Sequence, residues 1–156
     1  GIERGPLVYA LRIEEDWRVD PTEQKCSRQF PAWNLYPASD WNYALAVKPS
    51  TLAKSVEVVR RPMTPEPWSI HTAPIELRVP ARRVRGWSLV RTKSVFTHHV
   101  RDDKFYKERM RGNFLLTPQL PDPKTLKKRL ASKLETVTLV PYGGTKLRIS
   151  VFPAAM

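Results

Sequence analysis

A chain of 156 residues fits one compact domain and excludes a binding module joined to a catalytic barrel of about 250 residues. Its 41% hydrophobic and 10% aromatic content supports a core and excludes a disordered chain, while fifteen prolines against six glycines exclude long helices and favour short elements between rigid turns. The net charge of +12 points to a polyanion as one class of partner, and the single cysteine, Cys26, excludes an internal disulfide or a cysteine-based zinc cluster.

Taken in chain order, Gly1-Ile2-Glu3-Arg4 has neither a hydrophobic signal core nor an initiator Met, so the chain reads as an excised or processed piece. No stretch approaches the ~18 apolar residues of a membrane span, and no membrane partner is expected. Residues 6–13 form a nearly continuous apolar run ending in Glu14-Glu15-Asp16, the pattern of a strand buried on both faces. Asn42–Val47 has the same character. Ser55–Arg60 and Ile75–Val79 alternate apolar with polar, which predicts strands with one wet face and places Glu57 and Glu76 in water. Gly86–Arg91 continues the strand pattern. Thr136–Val140 and Thr145–Phe152 are predicted to pair as a hairpin through Pro141-Tyr142-Gly143-Gly144.

Eight or nine short strands with turn residues at sandwich-like spacing predict an all-β, antiparallel, jelly-roll-like β-sandwich, a single domain over 1–156, with a basic, partly helical insertion at 92–133. The helix is predicted behind Asp122, with Pro123 at its first position and Leu126, Leu130 and Leu134 along one face. Charge is distributed unevenly. Residues 1–80 are neutral, whereas 81–133 hold fifteen basic against four acidic residues. Arg82, Arg83, Arg85, Lys127, Lys128 and Arg129 are therefore candidate polyanion contacts; the plainer reading is a solvated surface, and with no base-stacking or base-reading motif beside them nucleic acid is not the favoured partner.

A catalytic set is not recognisable. His71, His98 and His99 lack metal-ligand spacing, Cys26 has no local base to make it a nucleophile, and Tyr142-Gly143-Gly144-Thr145 lacks the glycines and helix of a phosphate loop. No catalytic residue, metal or cofactor is assigned. Of the five tryptophans, Trp41 and Trp87, with Tyr43, are expected in the core; Trp17, Trp33 and Trp68 are the candidate carbohydrate contacts, since an exposed indole stacks on a sugar face.

Four blocks in one order carry a family resemblance: Arg4-Gly5-Pro6-Leu7-Val8-Tyr9-Ala10-Leu11, the run from Tyr36 to Leu45, Ala73-Pro74-Ile75-Glu76-Leu77-Arg78-Val79-Pro80-Ala81-Arg82, and the run from Glu135 to Pro153. Together they resemble the C-terminal region of glycoside hydrolase family 127, the β-L-arabinofuranosidase-like enzymes. The resemblance implies β-sandwich domains following an (α/α)₆ barrel, with the glutamate acid/base and the zinc-held cysteine nucleophile in that barrel. Cys26 lies outside the matching blocks and inherits no such role. The implied function is a noncatalytic C-terminal accessory domain of a larger glycosidase. Its expected partners are the catalytic barrel, a second copy of the chain, or carbohydrate; the alternatives are a free-standing carbohydrate-binding module and polyanion binding through 81–133.

Overall fold

The computed structural model describes residues 1–20, 29–94, 111–116 and 118–155. Cys26, His98, His99 and most of the basic run from Arg101 to Arg111 lie outside the described residues. The described chain is mostly β, and every pairing between its strands is antiparallel.

The main sheet has six strands: β1 (Ile2–Arg4), β2 (Leu7–Leu11), β5 (Tyr43–Leu45), β6 (Glu57–Arg60), β7 (Ile75–Arg83) and β10 (Glu135–Pro141). The order β1-β2-β10-β7-β5 sets β2, from the start of the chain, beside β10, the last strand, and leaves β1 at the edge. Nine-residue β7 is its axis. One edge of β7 pairs with β10 through Val79↔Val137, and the other pairs first with β6 through Leu77↔Val58 and then with β5 through Arg82↔Ala44. Pro80 sits inside this central strand, where a missing N–H would normally break a ladder. Its carbonyl accepts from Ala46 N at 2.8 Å, so its nitrogen faces the same edge, at the junction where β6 gives way to β5. No ladder donor is required there.

The apolar run at 6–13 breaks into a hairpin with β1, registered Arg4↔Leu7. Gly5 has φ +58, as the first central position of a tight hairpin requires, and Pro6 supplies the second with its fixed φ. Tyr9, Ala10 and Leu11 are then buried, while Leu7 and Val8 stay exposed beside the edge.

Tyr9, Leu11, Tyr43, Leu45, Leu77, Val79, Val137 and Leu139 build the main core with Trp41 and Trp87, whose rings meet edge to face at 5.1 Å. The expected core aromatics Trp41, Tyr43 and Trp87 are all buried. Trp87, however, follows Gly86, at φ +67, in a turn rather than a strand, and its indole Nε1 donates to the Gln119 carbonyl at 3.1 Å. The strand predicted over 86–91 begins only at Val90, where β8 (Val90–Ser94) pairs with β9 (Arg111–Leu116) in a separate hairpin.

The opposite face of the main sheet is covered too. Ile70 and Ala73, in the segment after β6, pack on Val140. That cover corrects the wet-face expectation for Glu76, which is 1% exposed and accepts from Arg12 Nη1 at 3.2 Å and Arg61 Nη2 at 3.0 Å. β7 keeps the predicted period, and Arg78 on the same face as Glu76 is exposed as expected, so the correction is confined to Glu76.

The predicted C-terminal hairpin does not form. Tyr142–Gly144 is a short 3₁₀ turn, and residues 145–155 contain no strand. This segment runs between the two ends of the sheet: Leu11 N donates to Ile149 O at 2.8 Å, Leu45 N to Pro153 O at 2.9 Å, and Ala155 N to Leu45 O at 2.8 Å. Leu147, Ile149, Phe152 and Ala155 pack on the core. The β-branched alternation thus serves a closing segment that makes one bond to β2 and one isolated bridge to Leu45 of β5, not a laddered strand.

Helix α1 is a single turn at Leu52–Ser55. Helix α2 spans Pro123–Arg129, and the Asp122 side chain accepts from Lys124 N at 2.9 Å, the expected cap. Leu126 is buried. Leu130 already has extended backbone, so the predicted third leucine, Leu134, lies past the helix end and is 54% exposed.

Candidate functional site

The candidate sugar contacts Trp17 and Trp33 lie on a second hairpin, made of β3 (Glu15–Val19) and β4 (Trp33–Pro37). Its register, Glu15↔Pro37, Trp17↔Leu35 and Val19↔Trp33, puts Glu15, Trp17, Val19, Trp33 and Leu35 on one face. Trp17 and Trp33 sit diagonally across the pair, with ring centroids 6.4 Å apart and planes at 77°, an edge-to-face contact. They remain 44% and 52% exposed. Two large indoles left half in water form an L-shaped apolar surface.

Charged groups hold one wall of that surface in place. Trp17 Nε1 donates to Glu15 Oε2 at 3.0 Å, Lys146 Nζ lies 3.7 Å from the same oxygen, and the Lys146 ammonium sits 5.2 Å from the Trp17 ring centroid. Trp68 is 77% exposed, and its carbonyl oxygen lies 3.3 Å from where a Cβ on Gly144 would stand. The turn at Tyr142–Gly144 thus passes close to the backbone of Trp68, and the following Lys146 touches the hairpin. Sequence reasoning named the three tryptophans but missed Glu15 and Lys146. The alternation of Trp17 with Val19 and of Trp33 with Leu35 was the signal for the hairpin, obscured by reading Glu14-Glu15-Asp16 as the end of the preceding strand.

The reverse face of the hairpin carries Asp16, Arg18, Asn34 and Tyr36. Arg18 Nε donates to Asp16 Oδ2 at 2.8 Å, and its guanidinium stacks 4.8 Å from the Tyr36 centroid. The hydrogen bond and charge of Asp16 raise the Arg18 pKa further, fixing it as a cation.

His71, the one described histidine, lies with Nε2 3.3 Å from Glu14 Oε2 and is largely exposed. Among the described residues no three His, Cys, Asp or Glu side chains are grouped to hold a metal ion.

The six candidate polyanion contacts separate into two sets. Arg83 is engaged: it pairs with Asp40, its Nε lies 3.6 Å from Glu135 Oε1, and its guanidinium stands 5.8 Å from the Tyr43 ring centroid. Tyr43 in turn donates to Glu135 Oε2 at 3.1 Å, tying β5, β7 and β10 together. Burial pushes the Tyr43 phenol up, against the opposing pull of Arg83, while the bond to Tyr43 raises Arg83. The other five are brought together by backbone pairing of 83–85 with 129–131. Arg85 N donates to Arg129 O and Ala131 N to Arg83 O, both at 2.8 Å, and Arg129 Nε returns a bond to Arg85 O at 2.9 Å. Arg82 Nη1 donates to Ala131 O at 3.2 Å and also reaches Ser132 O. Lys127 and Lys128 are exposed on α2. Compared with protein-family models, curated proteins and solved structures, the chain matches none.

Proposed function

We propose that the chain is a noncatalytic accessory domain of a family 127-like glycosidase, and that it contributes the Trp17/Trp33 face of the β3–β4 hairpin to sugar contact beside the parent's catalytic barrel. The observation that carries this is the pair of half-exposed indoles in edge contact, one of them anchored by Glu15 and Lys146. Exposed aromatic surface of this kind marks a contact site, because leaving it in water forfeits its burial energy, and the apolar C–H face of a furanose fits it. Polar groups at its edge, the Glu15 carboxylate and the Lys146 ammonium, are suited to orient sugar hydroxyls.

The finer architecture is read as sandwich-like: the curled six-stranded sheet forms one wall, and the closing segment 145–155 with the smaller hairpins forms the other. The bonds from 149–155 to β2 and β5 support that reading. The family resemblance assigns bond cleavage to the barrel, whose acid/base and nucleophile motifs this sequence lacks.

Two measurements test the proposal. Aryl L-arabinofuranosides incubated with the isolated chain give no turnover, and hydrolysis that survives purification controls overturns the noncatalytic assignment. Arabino-oligosaccharides produce a saturable change in tryptophan emission that Trp17→Ala with Trp33→Ala abolishes; a flat response at millimolar sugar overturns the contact. A free-standing carbohydrate-binding module would use the same face, and binding of the isolated chain to a separately produced catalytic barrel distinguishes the accessory role.

A further inference from the structure

The basic segment is not absorbed by the sugar face, and its geometry has a use of its own. We propose that the paired segments 82–85 and 127–132 form a ridge that binds an acidic polysaccharide, with Arg85, Lys127, Lys128 and Arg129 contacting its carboxylates; the choice of a glycan rests on the carbohydrate reading above. Among the described residues none of these four, nor Arg82, makes an ion pair, whereas Arg12, Arg18, Arg61, Arg78, Arg83 and Lys146 all do. The ridge is nevertheless ordered. Buried Leu126 anchors α2, the Val84↔Leu130 bridge aligns the two segments, and Arg82 and Arg129 are fixed by backbone carbonyls.

A guanidinium bonded to a carbonyl through Nε keeps both Nη groups for an incoming anion and loses little further freedom on binding it. The aromatic rings that share the core with the ridge residues Val84 and Leu126 are closed to a ligand: Trp41, Tyr43 and Trp87 are 8%, 7% and 4% exposed. Among the described residues these rings therefore offer nucleobases no stacking platform, and a chain recognised by its regularly spaced anions is the better fit.

The test uses the full chain with polygalacturonate, neutral arabinan and duplex DNA, by affinity electrophoresis at 50 and 200 mM salt. Polygalacturonate is expected to bind and to weaken about tenfold or more over that salt range, as counterions compete. Arg85→Ala, Lys127→Ala and Lys128→Ala together are expected to weaken binding at least about tenfold at 50 mM salt, by removing three of the charges. Lys54→Ala, an exposed cation of α1 outside the ridge, leaves it unchanged, and the triple variant keeps the parent melting temperature because all three side chains are exposed. No retention of polygalacturonate, equal retention by the triple variant, or displacement by a lower concentration of duplex DNA each overturns the proposal. A flat tryptophan response to arabino-oligosaccharide with polyuronate binding intact overturns the tryptophan face alone.

Discussion

Cations do different work in the two parts of this molecule. At two places in and around the main sheet they meet carboxylates: Glu76 is held between Arg12 and Arg61, and Arg83 joins Asp40 and Glu135 where β5, β7 and β10 meet. Beside Arg83 at the end of β7, and in α2, Arg82, Arg129, Lys127 and Lys128 meet only carbonyls or water among the described residues. The first arrangement resolves the charge inside the fold and turns it into tertiary structure. The second leaves charge over, and only leftover charge is free to act on another molecule.

The largest effect that could break this contrast comes from Glu76. Glu76→Ala leaves two guanidinium groups facing a buried gap; a fully buried pair would lose about 3–5 kcal/mol, but Arg12 and Arg61 are 30% and 41% exposed and regain water, so about 2 kcal/mol is expected by urea denaturation. A loss below about 0.5 kcal/mol would place Glu76 with the idle charges.

Tyr9 sharpens the contrast from the other side. Its hydroxyl is buried without a hydrogen-bond partner among the described residues, whereas that of Tyr43 donates to Glu135. Tyr9→Phe removes an unsatisfied polar group and is expected to stabilise the fold by about 1 kcal/mol, while Tyr43→Phe destabilises it by a similar amount. Equal effects of one sign would contradict the assignment.

Both phenols are raised above 10.0, in each case chiefly by burial. From pH 10 upward the unfolded chain loses protons that the folded chain keeps, so stability falls as pH rises through the folded values, and it is fully present below pH 10. Urea midpoints measured at pH 8 and pH 10.5 should drop in the parent, and less in Tyr9→Phe. The smallest effect belongs to the ridge: Arg85→Ala, Lys127→Ala and Lys128→Ala each change stability by less than about 0.5 kcal/mol, since they release no buried contact.

Much of the fold was legible where a local rule acts alone. The Asp122–Pro123 helix start, the strands β6 and β7, and the burial of Trp41, Tyr43 and Trp87 follow from capping chemistry and period, although Val58 of β6 stays exposed. What escaped depends on residues distant in sequence. Glu76 looks wet until the 61–74 segment covers it. Thr145–Phe152 looks like a strand until Ile149 O is seen bonding β2 and the carbonyl of Pro153, the residue after Phe152, bonding β5, and Gly143–Gly144 looks like a hairpin turn until Tyr142–Gly144 coils as 3₁₀. In the candidate site the tryptophans were identifiable by type, but Lys146 was not, because it reaches Trp17 only after the last segment closes the sheet.

The most direct measurement is a titration of the isolated chain with arabino-oligosaccharide, followed through the five indole N–H resonances. Shifts are expected at Trp17 and Trp33, with Trp41 and Trp87, buried in the core, unmoved. Unchanged resonances at millimolar sugar, or shifts centred on Trp41 and Trp87, would contradict sugar contact through the hairpin face.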